Sequence, residues 1–237
     1  GVAGIWDQAT DVPHFTEGHL EVGQLLTEVY SESKLMAEKA VREFQVQGGQ
    51  AIIYRASTIG PHSETSRFQR NIDSHFLARH IKACVEIGAV PCGSDNTISI
   101  VPVNIMSRWI LSVIGQVRKC ATFHLVSEHV ISYSDLYQML RLYGYRFKEL
   151  PIMEYKDFLL SIMDSSNYQD TLGVLLTNRQ LESSRPVPLD SSWSFSQFQE
   201  MGLPRFEPSQ KWLNRFIDHA VEVGFIRAPD KKALYGV

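Results

Sequence analysis

Between about Val29 and Gln47, Leu35, Met36, Ala37, Ala40, Val41 and Phe44 recur at helical spacing, and Gly48-Gly49 stop the run. Directly behind it, Ala51-Ile52-Ile53-Tyr54-Arg55 is a short apolar stretch bounded by turn residues, the pattern of a buried strand. A helix that turns through two glycines into a buried strand is half of a βαβ unit. Such a unit commits this part of the chain to a parallel sheet.

Downstream, Ile59 to Arg70 is polar and carries Gly60 and Pro61, so a loop is predicted there. A helix is predicted over 72–86, ended by Gly88 and Pro91. Residues 97–101 alternate as a short strand, Pro102 opens a helix to Ile114, and Ala121 to Val126 reads as another buried strand. Ser134 to Tyr143 has the form of a capped helix with Gly144 just past its end. Beyond it, helices are predicted over 154–164, 168–176, 193–201 and 208–223, with a loop at 183–188. In the last helix Trp212, Leu213, Phe216, Ile217 and Ala220 form a core stripe. The result is two or three buried strands with helices, then a helical C-terminal region. A doubly wound sheet normally holds more strands, so the chain starts, on this reading, inside such a fold.

A net charge of −3 over 237 residues gives no electrostatic case for nucleic acid or an acidic membrane surface. Cys84, Cys92 and Cys120 are scattered and odd in number, which points to a reducing compartment. With no signal peptide and no apolar run long enough to span a bilayer, a cytoplasmic location is the expectation. No metal is expected: the histidines are dispersed, and His75 and His80 are five apart rather than four.

The sharpest chemical signal is Tyr30-Ser31-Glu32-Ser33-Lys34. Residues i and i+4 share a helical face, so Tyr30 can set its hydroxyl near the ammonium of Lys34. A cation beside a phenol favours the phenolate and makes the phenol a better proton donor to an oxygen that gains charge during hydride attack. Lysine has further donors for the ribose hydroxyls of a nicotinamide cofactor. Chance alone gives about 0.3 such pairs in a chain of this composition, so spacing by itself leaves open an ordinary Tyr–Lys pair on a surface helix.

Context adds to the pair. The motif opens a helix that leads into a strand ending Tyr54-Arg55-Ala56-Ser57, with Gly60-Pro61 soon after. This order resembles extended short-chain dehydrogenases, with Ala56 where a proline is usual. Tyr30 to Glu38 (Tyr-Ser-Glu-Ser-Lys-Leu-Met-Ala-Glu) is similar to the Tyr-x-x-Ser-Lys-x-x-Ala-Glu segment of thioester reductases. Ile81 to Pro91, Val101-Pro102-Val103-Asn104 (with Asn104 where an acid is usual) and Phe216 to Ile226 resemble further segments of that family, in order. The family includes the terminal reductase domains of nonribosomal peptide and polyketide synthases.

The resemblance implies an α/β fold: the C-terminal part of a Rossmann-like doubly wound parallel sheet plus a mainly helical substrate-binding lobe. Residues 1–61 and 101–131 would belong to the sheet domain, and 62–100 and 132–237 to the lobe. It implies NADPH as cofactor, an acyl or peptidyl carrier protein with its phosphopantetheine arm as partner, and release of the acyl group as aldehyde or alcohol. Tyr30 and Lys34 would be catalytic and would also contact the cofactor, together with Arg55, Ala56, Ser57 and Ile59. Arg67, Asn71 and Arg79, with His75 nearby, follow the cofactor-lining loop and would border the acyl group, although plain surface residues would look the same. Three family parts have no counterpart: the glycine-rich phosphate loop, the Ser or Thr on the strand before the Tyr helix, and the arginine for the 2′-phosphate. Gly1-Val2-Ala3-Gly4 is the nearest glycine-rich stretch, but no strand precedes it and Asp7 stands where a third glycine would be. The sequence is therefore expected to start just after the strand that carries the Ser or Thr, with the missing N-terminal half of its own fold as a partner, and the fragment alone to be inactive. Rival readings are another extended dehydrogenase, such as a sugar-nucleotide epimerase or fatty acyl reductase, and a non-catalytic module that binds carrier protein or acyl chain.

Overall fold

The computed structural model describes residues 2–8, 10–93, 96–116, 120–163, 169–176 and 185–229. In chain order the elements are β1 (Ile5–Trp6), α1 (Val29–Val46), β2 (Ile52–Ala56), β3 (Thr58–Gly60), a 3₁₀ turn (Ile72–Ser74), α2 (Phe76–Ile87), β4 (Ala89–Cys92), β5 (Thr97–Ile98), β6 (Ile100–Pro102) and α3 (Val103–Gln116). There follow β7 (Ala121–Leu125), β8 (Ile131–Ser132), α4 (Tyr133–Tyr143), β9 (Lys148–Pro151), α5 (Ile152–Ser161), α6 (Gln169–Leu176), β10 (Arg185–Pro186), α7 (Ser192–Glu200) and α8 (Gln210–Glu222). Positions 164, 168 and 183–184 of the expected elements lie outside the described residues. The chain divides into two units: Gly1–Ile59, Val101–Glu128 and Ser183–Phe206 form one, and Gly60–Ile100, His129–Glu182 and Glu207–Val237 the other. The segment from Arg185 to Phe206, expected in the helical lobe, belongs instead to the first unit. There β10 pairs antiparallel with β1, and Phe198 of α7 joins the core beside β7.

In the first unit β2 and β7 run parallel, in register from Ile52 opposite Ala121 to Ala56 opposite Leu125. Helix α3 packs here because Ile105, Met106, Trp109 and Val113 fall on one helical face and join Val101 of β6, Phe123, Leu125 and Phe198 in one core. Trp109 stacks on Phe198 at 4.8 Å, and its indole N–H donates to the Pro204 carbonyl at 3.0 Å. A second cluster joins Val2, Trp6, Phe15 and Val187. The β2 stretch differs from expectation. Ile52 to Arg55 are only half-buried and Ala56 is exposed, whereas Phe123 to Leu125 of β7 are buried. The reason is topological: β2 has a ladder partner on one edge and none on the other among the described residues.

In the second unit, α2 stops at Gly88, whose φ of 70° closes the helix with an N–H bond to the Cys84 carbonyl at 2.9 Å. The chain then enters β4, which runs parallel with β9, Ala89 opposite Lys148. Neither strand was visible in the sequence, because Pro91 and Pro151 break the strand pattern. A two-stranded sheet accommodates them, since each strand has one edge that needs no N–H donor. The expected helix over 72–86 opens as the 3₁₀ turn and is capped by His75, whose Nδ1 accepts from the Ala78 N–H at 3.4 Å. The cap of α4 is Ser132, which accepts from the Asp135 N–H at 2.9 Å while its hydroxyl donates to Asp135 Oδ2 at 2.7 Å. Trp212, Leu213, Phe216, Ile217 and Ala220 of α8 are buried, as their spacing predicts.

Candidate active site

Helix α1 presents its sides in an unusual way. Ser31 and Glu38 are its buried residues, while Tyr30, Met36, Phe44 and Val46 are exposed. Tyr30 and Lys34 lie on the exposed side, and Tyr30 is 63% exposed. The Lys34 ammonium stands over the face of the Tyr30 ring, 5.2 Å from its centre, rather than at the hydroxyl. That contact is a cation–π pairing. Neither polar end takes part in a described hydrogen bond or ion pair, so both are available to a ligand.

Arg55, expected at the cofactor, spends its donors inside its own unit. A guanidinium has five N–H donors. Here Nε donates to Glu38 Oε2 at 3.1 Å, and Nη2 donates to Glu38 Oε1 at 2.6 Å and to the His19 carbonyl. The Nη1 group donates to the Thr16 carbonyl at 3.0 Å and to His124 Nε2 at 2.9 Å. All five donors are committed within the unit, and Arg55 has none for a cofactor. Its role is to clamp α1, β2 and the loop around residues 16–19.

The clamp extends further. Because a guanidinium only donates, His124 Nε2 accepts, and the ring proton sits on Nδ1, facing Ser191 Oγ at 3.1 Å. Burial holds the His124 pKa below its ordinary value, Arg55 acting the same way and the nearby Glu17 opposing it. Glu17 Oε1 accepts the Ser194 hydroxyl at 2.6 Å and the Ser194 N–H at 3.0 Å, while Ser194 Oγ accepts the His124 N–H at 2.8 Å. Arg42 adds bonds to Glu38 Oε1 from Nε at 3.1 Å and Nη2 at 3.0 Å, and its Nη1 reaches the Gly18 carbonyl at 3.2 Å. Sequence reading missed Glu17, Glu38, Arg42, His124, Ser191 and Ser194 as a group. The available signal was the placement of charge at Glu38 and Arg42, one turn apart on a helix side that the periodicity of α1 assigns to neither face clearly.

The remaining expected residues divide between the units. Ala56 is exposed at the end of β2, and Ile59 is 42% exposed. Ser57 donates its N–H to the Leu125 carbonyl at 3.0 Å, while its Oγ is buried with no hydrogen-bond partner among the described residues. Arg67, Asn71 and Arg79 are exposed residues of the second unit. Asn71 uses its side-chain amide on Ser74 Oγ at 2.8 Å, inside the 3₁₀ turn, and His75 is the helix cap. Gly4 sits where the chain approaches itself: a Cβ there would lie 2.5 Å from the Leu25 carbonyl. Gly1 lies outside the described residues.

A family model described as "Male sterility protein" (NAD_binding_4) matches residues 14–110, the stretch that holds α1, β2 and the 16–19 loop. The terminal R domain from the myxalamid PKS-NRPS biosynthetic pathway superposes over 97% of the chain with a TM-score of 0.83 and 25% identity. The chain shares the Rossmann-like fold of such reductase domains. Similarity extends to a thiolation-reductase di-domain of an archaeal non-ribosomal peptide synthetase, at 22% identity and TM-score 0.77 over 90% of the chain. It extends also to the large subunit of L-2-aminoadipate reductase of Eremothecium gossypii, 25% identical over 85% of the chain. The chain spans 57% and 44% of the two solved relatives and 15% of the curated one. The architecture matches a Rossmann-type parallel sheet.

The residues present fit the nicotinamide–ribose end of a dinucleotide. A phenol, an ammonium and the orphaned Ser57 hydroxyl, all in the first unit, are polar groups without a described hydrogen-bond partner. The pyrophosphate end has no counterpart, because the sequence holds no glycine-rich turn after a strand.

Proposed function

We propose that this chain is the C-terminal part of an NADPH-dependent thioester reductase that releases an acyl or peptidyl group from a carrier protein. The observation that carries the reading is the Tyr30–Lys34 pair, exposed on α1 in a superfamily whose fold the chain shares. Bound NADPH would supply the hydride. Tyr30 would hydrogen-bond the thioester carbonyl oxygen and give it a proton as charge develops there. Lys34 would leave the Tyr30 ring to hold the ribose hydroxyls, keeping its positive charge beside the phenol. Once hydride has reached the carbonyl carbon, the hemithioacetal breaks its C–S bond and yields an aldehyde and the free thiol of the arm. Ala56, Ser57 and Ile59, following β2, would line the nicotinamide, and Arg67 and Arg79 would border the acyl group. The pyrophosphate and the 2′-phosphate would be held by an N-terminal nucleotide-binding half that completes the sheet along the free edge of β2.

The test uses an enzyme that carries this chain behind such a half. Tyr30→Phe and Lys34→Ala should each lower turnover by about 10²–10⁴-fold, the usual cost of losing a positioned general acid. Near-normal turnover in a folded Tyr30→Phe protein would end the catalytic assignment.

A further inference from the structure

Glu38 stands one helical turn beyond Lys34 and two beyond Tyr30, on the same helix but turned inward. Its side chain is 5% exposed, whereas Tyr30 and Lys34 face solvent. No apolar side chain of α1 is fully buried among the described residues. Leu35 leans on the Phe15 cluster, but Met36, Phe44 and Val46 pack on nothing that hides them. What joins the middle of the helix to the sheet is polar: the two-point fork of Arg55, on β2, onto Glu38. Apolar contact is non-directional and tolerates a roll of the helix, but a bidentate guanidinium–carboxylate pair does not.

We infer that Glu38 and Arg55 are positioning residues for the proposed reduction, fixing the roll of α1 against β2 and thereby the site of the Tyr30 hydroxyl. The inference rests on the reaction proposed above and extends it to two residues that touch neither substrate nor cofactor. The lever is long. A roll of ~10° about the helix axis carries a hydroxyl ~9 Å from that axis through ~1.5 Å, and misplacement by ~1 Å can cost ~10² in rate. The network is also balanced in charge. The carboxylates of Glu38 and Glu17 offset Arg55 and Arg42, with His124 neutral, so the buried pair leaves no uncompensated ion. Arg42 closes the carboxylate from the next turn of α1, so Glu38 cannot rotate away from Arg55 without losing four N–H bonds.

The experiment is a double-variant kinetic cycle in the complete enzyme, following NADPH oxidation on a carrier-bound thioester. Glu38→Gln and Arg55→Lys are each made alone and on a Tyr30→Phe background. Arg55→Lys keeps the charge and loses only the fork, so it carries the test if Glu38→Gln does not fold. Each should lower kcat by at least about tenfold while KM for NADPH and thioester changes by less than about threefold. On the Tyr30→Phe background the same changes should cost little more, because they act through that hydroxyl. Losses that multiply on a crippled Tyr30→Phe background, or an unchanged kcat in a folded single variant, would overturn the positioning role alone. An unimpaired Tyr30→Phe would instead strike down the catalytic reading.

Discussion

Ser66 is the single non-glycine residue at positive φ among the described residues, at 55°, and its buried hydroxyl has no hydrogen-bond partner there. It closes the loop that follows Gly60, where its N–H bonds the His62 carbonyl at 3.0 Å. An L-residue in this left-handed region carries a steric cost that glycine escapes. Ser66→Gly should therefore raise stability by about 1 kcal/mol, read as a higher midpoint in urea at an unchanged slope; a lower midpoint would show the loop uses the serine. His80 gives a pH-dependent counterpart. It is fully buried on α2, with Nε2 3.1 Å from the Tyr137 hydroxyl and 3.6 Å from Cys84 Sγ, and burial pushes its pKa down to about 3. The folded state thus holds the imidazole neutral, whereas the unfolded chain protonates it near pH 6.5. Its contribution is present above pH 6.5 and lost as pH falls from there toward about 3, since the unfolded state binds the extra proton. Replacing it (His80→Gln) should flatten the decline in stability between pH 6 and 5 by about one proton's slope, roughly 1.4 kcal/mol per pH unit. An unchanged slope would mean the histidine is protonated in the fold.

At the scale of elements, helices were legible and most of the short strands were not. The runs stopped by Gly48-Gly49, Gly88 and Gly144 end within one residue of the observed helix ends, because periodicity and stop residues agree there, while the one read from 72 begins four residues later, after the 3₁₀ turn. The alternation over 97–101 did mark β5 and β6, but β4 and β9 carry prolines, and β1, β8 and β10 hold two residues each, too few to establish a period of two. The candidate pair Tyr30 and Lys34 was legible from spacing plus context. The clamp that holds their helix was not, because Glu17, Arg55, His124 and Ser194 come from four separate stretches of sequence. Gly60 was read as a turn residue, but its constraint is packing. A Cβ there would lie 2.7 Å from Ile100 Cγ2 and 3.1 Å from the Trp212 ring, against a core face of α8. Gly60→Ala should cost about 1–3 kcal/mol, measured by thermal unfolding, through forced repacking of that contact. A neutral substitution would show that Ile100 and Trp212 can yield.

For the molecule as a whole, the fold class could be read from one helix–strand junction, while the division into units could not. The return of Arg185 to Phe206 to the first unit goes with the pairing of Arg185 and Pro186 with Ile5 and Trp6, residues far apart in the sequence. No helix among the described residues is long and apolar enough to cross a membrane. The exposed side of α1 and the one-sided β2 suit a sheet completed by further strands, which is where a nucleotide-binding half would add. The central claim concerns what that completed enzyme reduces. A thioester carbonyl accepts hydride, whereas a carboxylate needs prior activation, and a tethered arm raises the effective concentration of the acyl group. The direct measurement is NADPH oxidation by the complete enzyme with one acyl group offered on a carrier protein, on a short pantetheine analogue and as the free acid. Rates should fall in that order, with the free acid inert. Equal rates on free acid and carrier-bound thioester would contradict the account.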